Sequence, residues 1–141
     1  DDALVAAAAV LMMLDRNPGR SLSDLKADLS DAWTSLTMSP HCDDEKKYGI
    51  VDRVVADYQA LAKSGGSILG RKIVDVNTVN GARVTLDDGS WVLVRASSNK
   101  PELVTVVESM QGEDDMRALF RNEVKPRLAK FPEVGGYNQE I

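Results

Sequence analysis

An α+β domain is the fold class predicted for this chain: a four-stranded, mostly antiparallel sheet with two helices packed on one face, preceded by an N-terminal helical segment. Three observations predict it. The apolar period is helical over 44–63, switches to two over 73–108, and turns helical again after 113. Asn80-Gly81 and Asp88-Gly89 stand where hairpins reverse, because both central residues of such turns need positive φ. With 141 residues and 43% hydrophobic content, the chain can bury one real core, so one domain plus appendages is expected.

The elements follow in order. Residues 2–15 are rich in Ala, Leu and Met, all strong helix formers, and Asn17-Pro18-Gly19 stops them. Ser21 or Ser23 caps a short helix over 21–29 carrying Leu22, Leu25 and Leu29. Residues 30–42 have no period and read as a linker. Asp43 or Asp44 starts a helix to about Lys63 with Ile50, Val51, Val54, Val55, Tyr58 and Leu61 on one face, and Ser64-Gly65-Gly66 ends it. Strands are predicted near 73–79, 82–86, 91–95 and 102–108, the first pair joined by a two-residue turn at Asn80-Gly81. A last helix begins near Glu113, where Asp114 and Asp115 suit the positive end of its dipole, and runs to about 130. Pro126 removes a backbone donor inside it and should kink or shorten it. The organisation expected is a helical tail of a preceding domain over 1–29, a linker over 30–42 and one domain over 43–141. The start at Asp1, without Met and directly in a helical pattern, reads as a piece of something longer.

Composition narrows the function. The formal net charge of −5 argues against nonspecific nucleic-acid binding, which draws on a basic surface. Exposed aromatics on central strands, the mark of an RNA-binding sheet, are also wanting. Cys42 is the only cysteine, so no intrachain disulfide can form and a reducing, cytoplasmic setting is expected. The apolar stretch 3–14 is too short to span a bilayer and has an acidic flank, unlike an export signal.

The chemistry concentrates in WVLVRASSNKP, residues 91–101. An apolar strand ends in Arg95, then Ala96, Ser97, Ser98, Asn99 and Lys100 lead through Pro101 to the next strand. Arg95 offers a planar fork that matches phosphate, the serines and Asn99 add donors, and a turn of small residues can aim backbone N–H groups together. On composition alone a solvated turn is the commoner meaning of such a loop.

The pattern R-x-S-x-x-x-P between two apolar strands resembles the phosphate-binding loop in the last domain of the α-phosphohexomutases, the phosphomannomutase and phosphoglucomutase family. Arg95, Ala96, Ser97 and Pro101 match it position for position. Ser98 stands where Gly or Asn is usual, Asn99 where Thr is usual and Lys100 where Glu or a neutral polar residue is common. DGSWVLVRAS before the loop and ELVTVVES after it resemble the family's flanking strands, and residues 1–15 resemble the helix ending its third domain.

The resemblance implies the family's C-terminal, TBP-like fold and a role in reversible phosphoryl transfer between the 1- and 6-positions of a hexose through a bisphosphate. In it, Arg95 would be the charge clamp and Ser97 a hydroxyl donor, with Ser98, Asn99 and Lys100 in support. Phosphohexose, hexose bisphosphate and upstream domains of the same polypeptide are the implied partners, and Mg²⁺ the implied cofactor of the intact enzyme. The family's phosphoserine, metal and sugar loops have no match in this sequence, so no catalytic residue and no metal ligand is expected here. The alternative reading is a noncatalytic anion-binding or protein-interaction module of the same fold.

Other groups carry less. His41-Cys42-Asp43-Asp44 is consecutive and lacks a second cluster of spaced ligands, so linker and helix cap is the expectation. Asp75, Asp87 and Asp88 read as solvated, Trp91, Val92 and Val94 as sheet packing, and 133–138 as a partner contact or a frayed end.

Overall fold

The computed structural model describes residues 2–27 and 29–141; Asp1 and Asp28, inside the predicted 1–29 segment, lie outside the described residues. Two compact units divide the chain at 31/32. In the first, α1 (Ala3–Asp15) is capped by Asp2, whose carboxylate accepts from the N–H groups of Leu4 and Val5. Then α2 (Leu22–Lys26) opens on a capping box: Ser21 Oγ accepts from Asp24 N–H, and the Asp24 carboxylate accepts from Ser21 N–H. Leu4, Leu11 and Met12 are exposed on α1.

The second unit is a sheet with helices on one of its faces. Its elements are β1 (Trp33–Thr34), α3 (Asp44–Lys63), β2 (Ser67–Ile68), β3 (Arg71–Asn77), β4 (Ala82–Leu86), β5 (Trp91–Ala96), β6 (Leu103–Ser109), α4 (Glu113–Leu119) and α5 (Lys125–Leu128). The spatial order is β1-β6-β5-β4-β3-β2, every pair antiparallel. The described sheet therefore has six strands, not the expected four. Both additions are two residues long, too short to show a period, and lie at the edges. β2 folds back on β3 through Leu69 and Gly70, both at positive φ (48° and 82°).

The first hairpin also differs from expectation. Asn77 pairs with Arg83, so the connection is longer than a two-residue turn at Asn80-Gly81. The Asn77 side chain accepts the N–H of Val79 at 3.1 Å and closes the strand early, the local bond that favours Asn in turns. A register slip between Ile73 and Asp75 follows in the same ribbon.

Alternation then separates the faces. Val84 and Leu86 on β4, Val92 and Val94 on β5, and Leu103 and Val107 on β6 are buried against Ile50, Val54 and Tyr58 of α3. Met116, Leu119, Phe120, Val124 and Leu128 complete that core. Each such side chain contributes roughly 1.5–3 kcal/mol on burial. The opposite face carries Arg83, Trp91, Leu93, Arg95, Val106 and Glu108 in register. Trp91 packs there rather than in the core, with Arg83 over its ring at 4.6 Å and its Nε1–H donated to Glu108 at 2.7 Å.

Pro126 acts as expected, through a specific device. Residues Phe120–Val124 form one π-helical turn between α4 and α5, with Lys125 N–H donating to Phe120 C=O. The ladder slips by one residue just before the proline that cannot join it.

Residues 35–41 run along the outer edge of β6. Ser35 N–H donates to Val107 C=O, Met38 and Thr105 exchange backbone bonds, and Leu103 N–H donates to Pro40 C=O. The tail then lines 39–41: His41 N–H donates to Gly136 C=O, Gly135 N–H to His41 C=O, and Asn138 N–H to Ser39 C=O.

Candidate functional site

Strand alternation aims the site. β5 pairs with β6 as far as Ala96↔Leu103, so Arg95 falls on the helix-free face and residues 97–102 are left as the connection. Arg95 is flanked on β6 by its partner Val104 and on the β4 side by Gly81. A Cβ on Gly81 would lie 2.7 Å from Arg95 Cα and 2.3 Å from Val94 C=O, so only a bare backbone fits beside the arginine. The Arg95 guanidinium is half-buried and donates from Nη1 to Ala96 C=O at 3.1 Å. Four of its five N–H donors stay uncommitted among the described residues.

The loop's carbonyls and amides divide sharply. Ser97 N–H donates to Glu102 C=O at 3.0 Å, which closes the loop. Glu102 N–H donates to Lys100 C=O at 2.8 Å, and Cys42 N–H to Pro101 C=O at 2.9 Å. Lys100 C=O also accepts from Lys47 Nζ at 2.9 Å. The three carbonyls of 100–102 are thus tied to the domain. The N–H groups of Ser98, Asn99 and Lys100 meet no acceptor among the described residues. Consecutive amide donors with nearby carbonyls turned away are the elements of an anion nest.

Side chains complete the picture. Ser97 is only 4% exposed, and its Oγ–H donates to Asn99 Oδ1 at 3.2 Å. Ser98, Asn99 and Lys100 are exposed, and Lys100 Nζ stands 4.0 Å from Glu102 Oε1, a loose pair that leaves the ammonium available. The five residues singled out by sequence lie in one continuous stretch at the end of β5. The burial of Ser97 has no signal in the sequence.

The residue that sequence reasoning missed is Lys47. Its place continues the stripe of Ile50, Val51 and Val54 on α3, and a lysine on an apolar face was the available signal. It is 3% exposed.

The remaining candidates do not assemble. His41 Nε2 lies 3.3 Å from Asp43 Oδ1 at the surface, whereas Cys42 is fully buried. Burial, then Asp43 and Glu133, push its thiol up from the ordinary value and keep it protonated. No group of three or more His, Cys, Asp or Glu side chains among the described residues is placed to hold a metal ion. Asp88, expected to be solvated, instead accepts from buried Arg71.

Comparison with known proteins adds independent findings. Residues 41–125 match the family described as phosphoglucomutase/phosphomannomutase, C-terminal domain. A probable phosphoglucosamine mutase of Methanothermobacter thermautotrophicus is 38% identical over 82 residues, covering 58% of this chain and 16% of that protein. A phosphopentomutase of Thermococcus kodakarensis is 28% identical over 108 residues, 77% of this chain and 22% of its own length. A probable phosphoglucosamine mutase of Methanopyrus kandleri is 32% identical over 119 residues, 84% of this chain and 23% of its own length. The aligned part of this chain thus corresponds to less than a quarter of each of these relatives.

Proposed function

This chain belongs to the phosphoglucomutase/phosphomannomutase C-terminal domain family, and on that premise we propose that its 95–100 segment seats the phosphate of a phosphosugar for a phosphohexomutase-type isomerase. The observation that carries the reading is the division in the loop: N–H groups of 98–100 unspent, carbonyls of 100–102 tied back. Relatives named for glucosamine and for pentose phosphates differ in the sugar. What the two share is a phosphate ester on it, and the loop's donors address that shared group.

In this reading Arg95 supplies the charge-assisted, two-point contact that its planar fork permits. The amides of 98–100 take further phosphate oxygens, Ser97 Oγ–H joins them by turning from its bond to Asn99 Oδ1, and Lys100 adds charge from the rim. The segment holds the phosphate that is not reacting while the other is transferred, so its contribution is positioning and electrostatics with no covalent step. Upstream domains of the same polypeptide bring the transferring group. The same reading has the enzyme cytoplasmic, in keeping with a single, buried thiol.

Mg²⁺, which the family implies, does not fit the described residues. It takes carboxylate and other oxygen ligands in near-octahedral array; no group of three or more such side chains comes together among the described residues, and Asp88 and Asp115 are both held by Arg71. No role of this chain's residues runs through the ion.

The test is a titration of the ¹⁵N-labelled chain with inorganic phosphate and with a hexose bisphosphate. The amides of Ser98, Asn99 and Lys100 should move more than any others. An unresponsive loop would remove the proposal. A loop that responds in an intact protein whose turnover ignores Arg95 would favour the noncatalytic anion-binding module instead.

A further inference from the structure

Lys47 presents a physical problem on its own. An ammonium on the buried face of a helix is costly unless paired and hydrogen-bonded. Its pairing is asymmetric: Asp44 Oδ1 at 2.5 Å on the same helix, and Lys100 C=O at 2.9 Å, 53 residues away. The Asp44 side chain is 67% exposed, so that ion pair alone would form as well at the surface. What requires the ammonium to be inside is the loop carbonyl.

That carbonyl is a special one. The Lys100–Pro101 peptide has no N–H, so toward an anion it can present only its oxygen, the repulsive end of the dipole. Glu102 N–H and Lys47 Nζ together hold this oxygen inward, and the Cys42 N–H holds the next one. With these two oxygens held by the domain, the N–H groups of 98–100 are the loop's donors that meet no acceptor among the described residues.

We propose that Lys47 is a positioning residue for the anion seat, acting through the Lys100 carbonyl and never touching the ligand; the proposal rests on the phosphate-seat reading of the 95–100 segment. Asp44 neutralises much of the ammonium's field, so the role is one of holding backbone orientation rather than adding attraction. An arginine, which keeps a charged donor, should therefore substitute in part, and a methionine of similar length should not.

The experiment compares the ¹⁵N-labelled chain with its Lys47→Met and Lys47→Arg variants, titrated with inorganic phosphate. In the unsubstituted chain the amides of Ser98, Asn99 and Lys100 respond. Lys47→Met should keep the core resonances, broaden those loop amides, and weaken phosphate binding by roughly tenfold or more, the scale of one lost charged hydrogen bond. Lys47→Arg should bind within about threefold of the original. If the original chain ignores phosphate, the seat reading falls and the Lys47 role with it. If it responds and Lys47→Met binds equally well with sharp loop amides, only the Lys47 role is overturned. Shifted core resonances with unaltered phosphate affinity overturn that role too, since they mark a merely structural lysine. Should Lys47→Met not fold, Lys47→Gln decides: it keeps a polar side chain but loses the charge and the reach to the Lys100 carbonyl, so phosphate binding should weaken by roughly tenfold, and unchanged affinity with sharp loop amides overturns the proposal.

Discussion

Arg71 grips Asp115 at two points, Nη1 to Oδ2 at 2.8 Å and Nη2 to Oδ1 at 3.3 Å, and the same Nη1 reaches Asp88 Oδ2 at 3.0 Å. Three elements meet in this contact: the start of β3, the β4–β5 turn and the first turn of α4. Ser90 in the same turn and Ser109 at the end of β6 close the network, with Ser109 Oγ–H donating to Asp115 at 2.6 Å. It lies at the end of β5 opposite the anion loop, so it serves stability without entering the site.

The pH dependence of folding should report this network. Burial works to raise the Asp88 pKa, but hydrogen bonds from Arg71, Ser90 and Gln111 outweigh it and bring it from 3.8 down to about 2. The unfolded chain therefore binds the proton more readily, so the stabilisation is present above the unfolded value and is lost as pH falls through about 2. Roughly 2 kcal/mol rides on this one group. Chemical denaturation across pH 6 to 2 should show the loss, and Asp88→Asn should flatten it by about that amount. An unaltered slope in the variant would remove Asp88 from the account.

Arg95→Ala in the intact protein should lower kcat/KM by about 2–5 kcal/mol of transition-state stabilisation with little change in Tm. Arg95→Lys should lose less, since it keeps the charge and gives up only the fork. Ser97→Ala should lose on the order of 1.5–3 kcal/mol, one donor to a charged group. Its backbone bond to Glu102 survives the change, so the melting curve should hold. A collapsed Tm in Arg95→Ala would mark that residue as structural.

Gly81→Ala tests the floor beneath Arg95. The backbone sits at φ +86°, and the added Cβ would press on Val94 C=O and on Arg95 itself. Strain of roughly 1–3 kcal/mol is expected, together with a weaker phosphate response because the arginine is displaced. Full phosphate affinity in a destabilised variant would show that the contact shapes the hairpin and not the site.

The 141-residue chain alone should not interconvert phosphosugars, with or without Mg²⁺. In the proposed reading this chain's residues hold the phosphate that is not reacting, so the acceptor group and the charge neutralisation of the transfer itself come from elsewhere. Turnover by the purified chain, free of contaminating enzyme, would defeat this expectation.

Legibility in the sequence tracked the length and regularity of each signal. β4 and β5 alternate without interruption, and their predicted spans meet the observed ones to within a residue. β1 and β2 offer two residues each and left no trace. A disturbance of the helix at Pro126 was readable, but its form was not: a π turn precedes the proline and the helix continues to Leu128. Arg95 to Lys100 stood out by residue type and spacing. Which loop carbonyls are tied back depends on Cys42 and Lys47, and no local pattern links those positions to Pro101 and Lys100.

The same long-range ties set when the proposed seat forms during folding. Lys47 and Lys100 are 53 residues apart, and the loop's other anchor, Cys42, is more distant still. Closing so large a span carries a high entropic cost, so these ties should form only once α3 docks on the sheet. A hairpin of β5 and β6 alone would hold the arginine and the serines yet lack the turned carbonyls. If the 95–100 segment seats phosphate as proposed, phosphate should favour the finished domain over any partly assembled form and raise its melting temperature with ligand concentration.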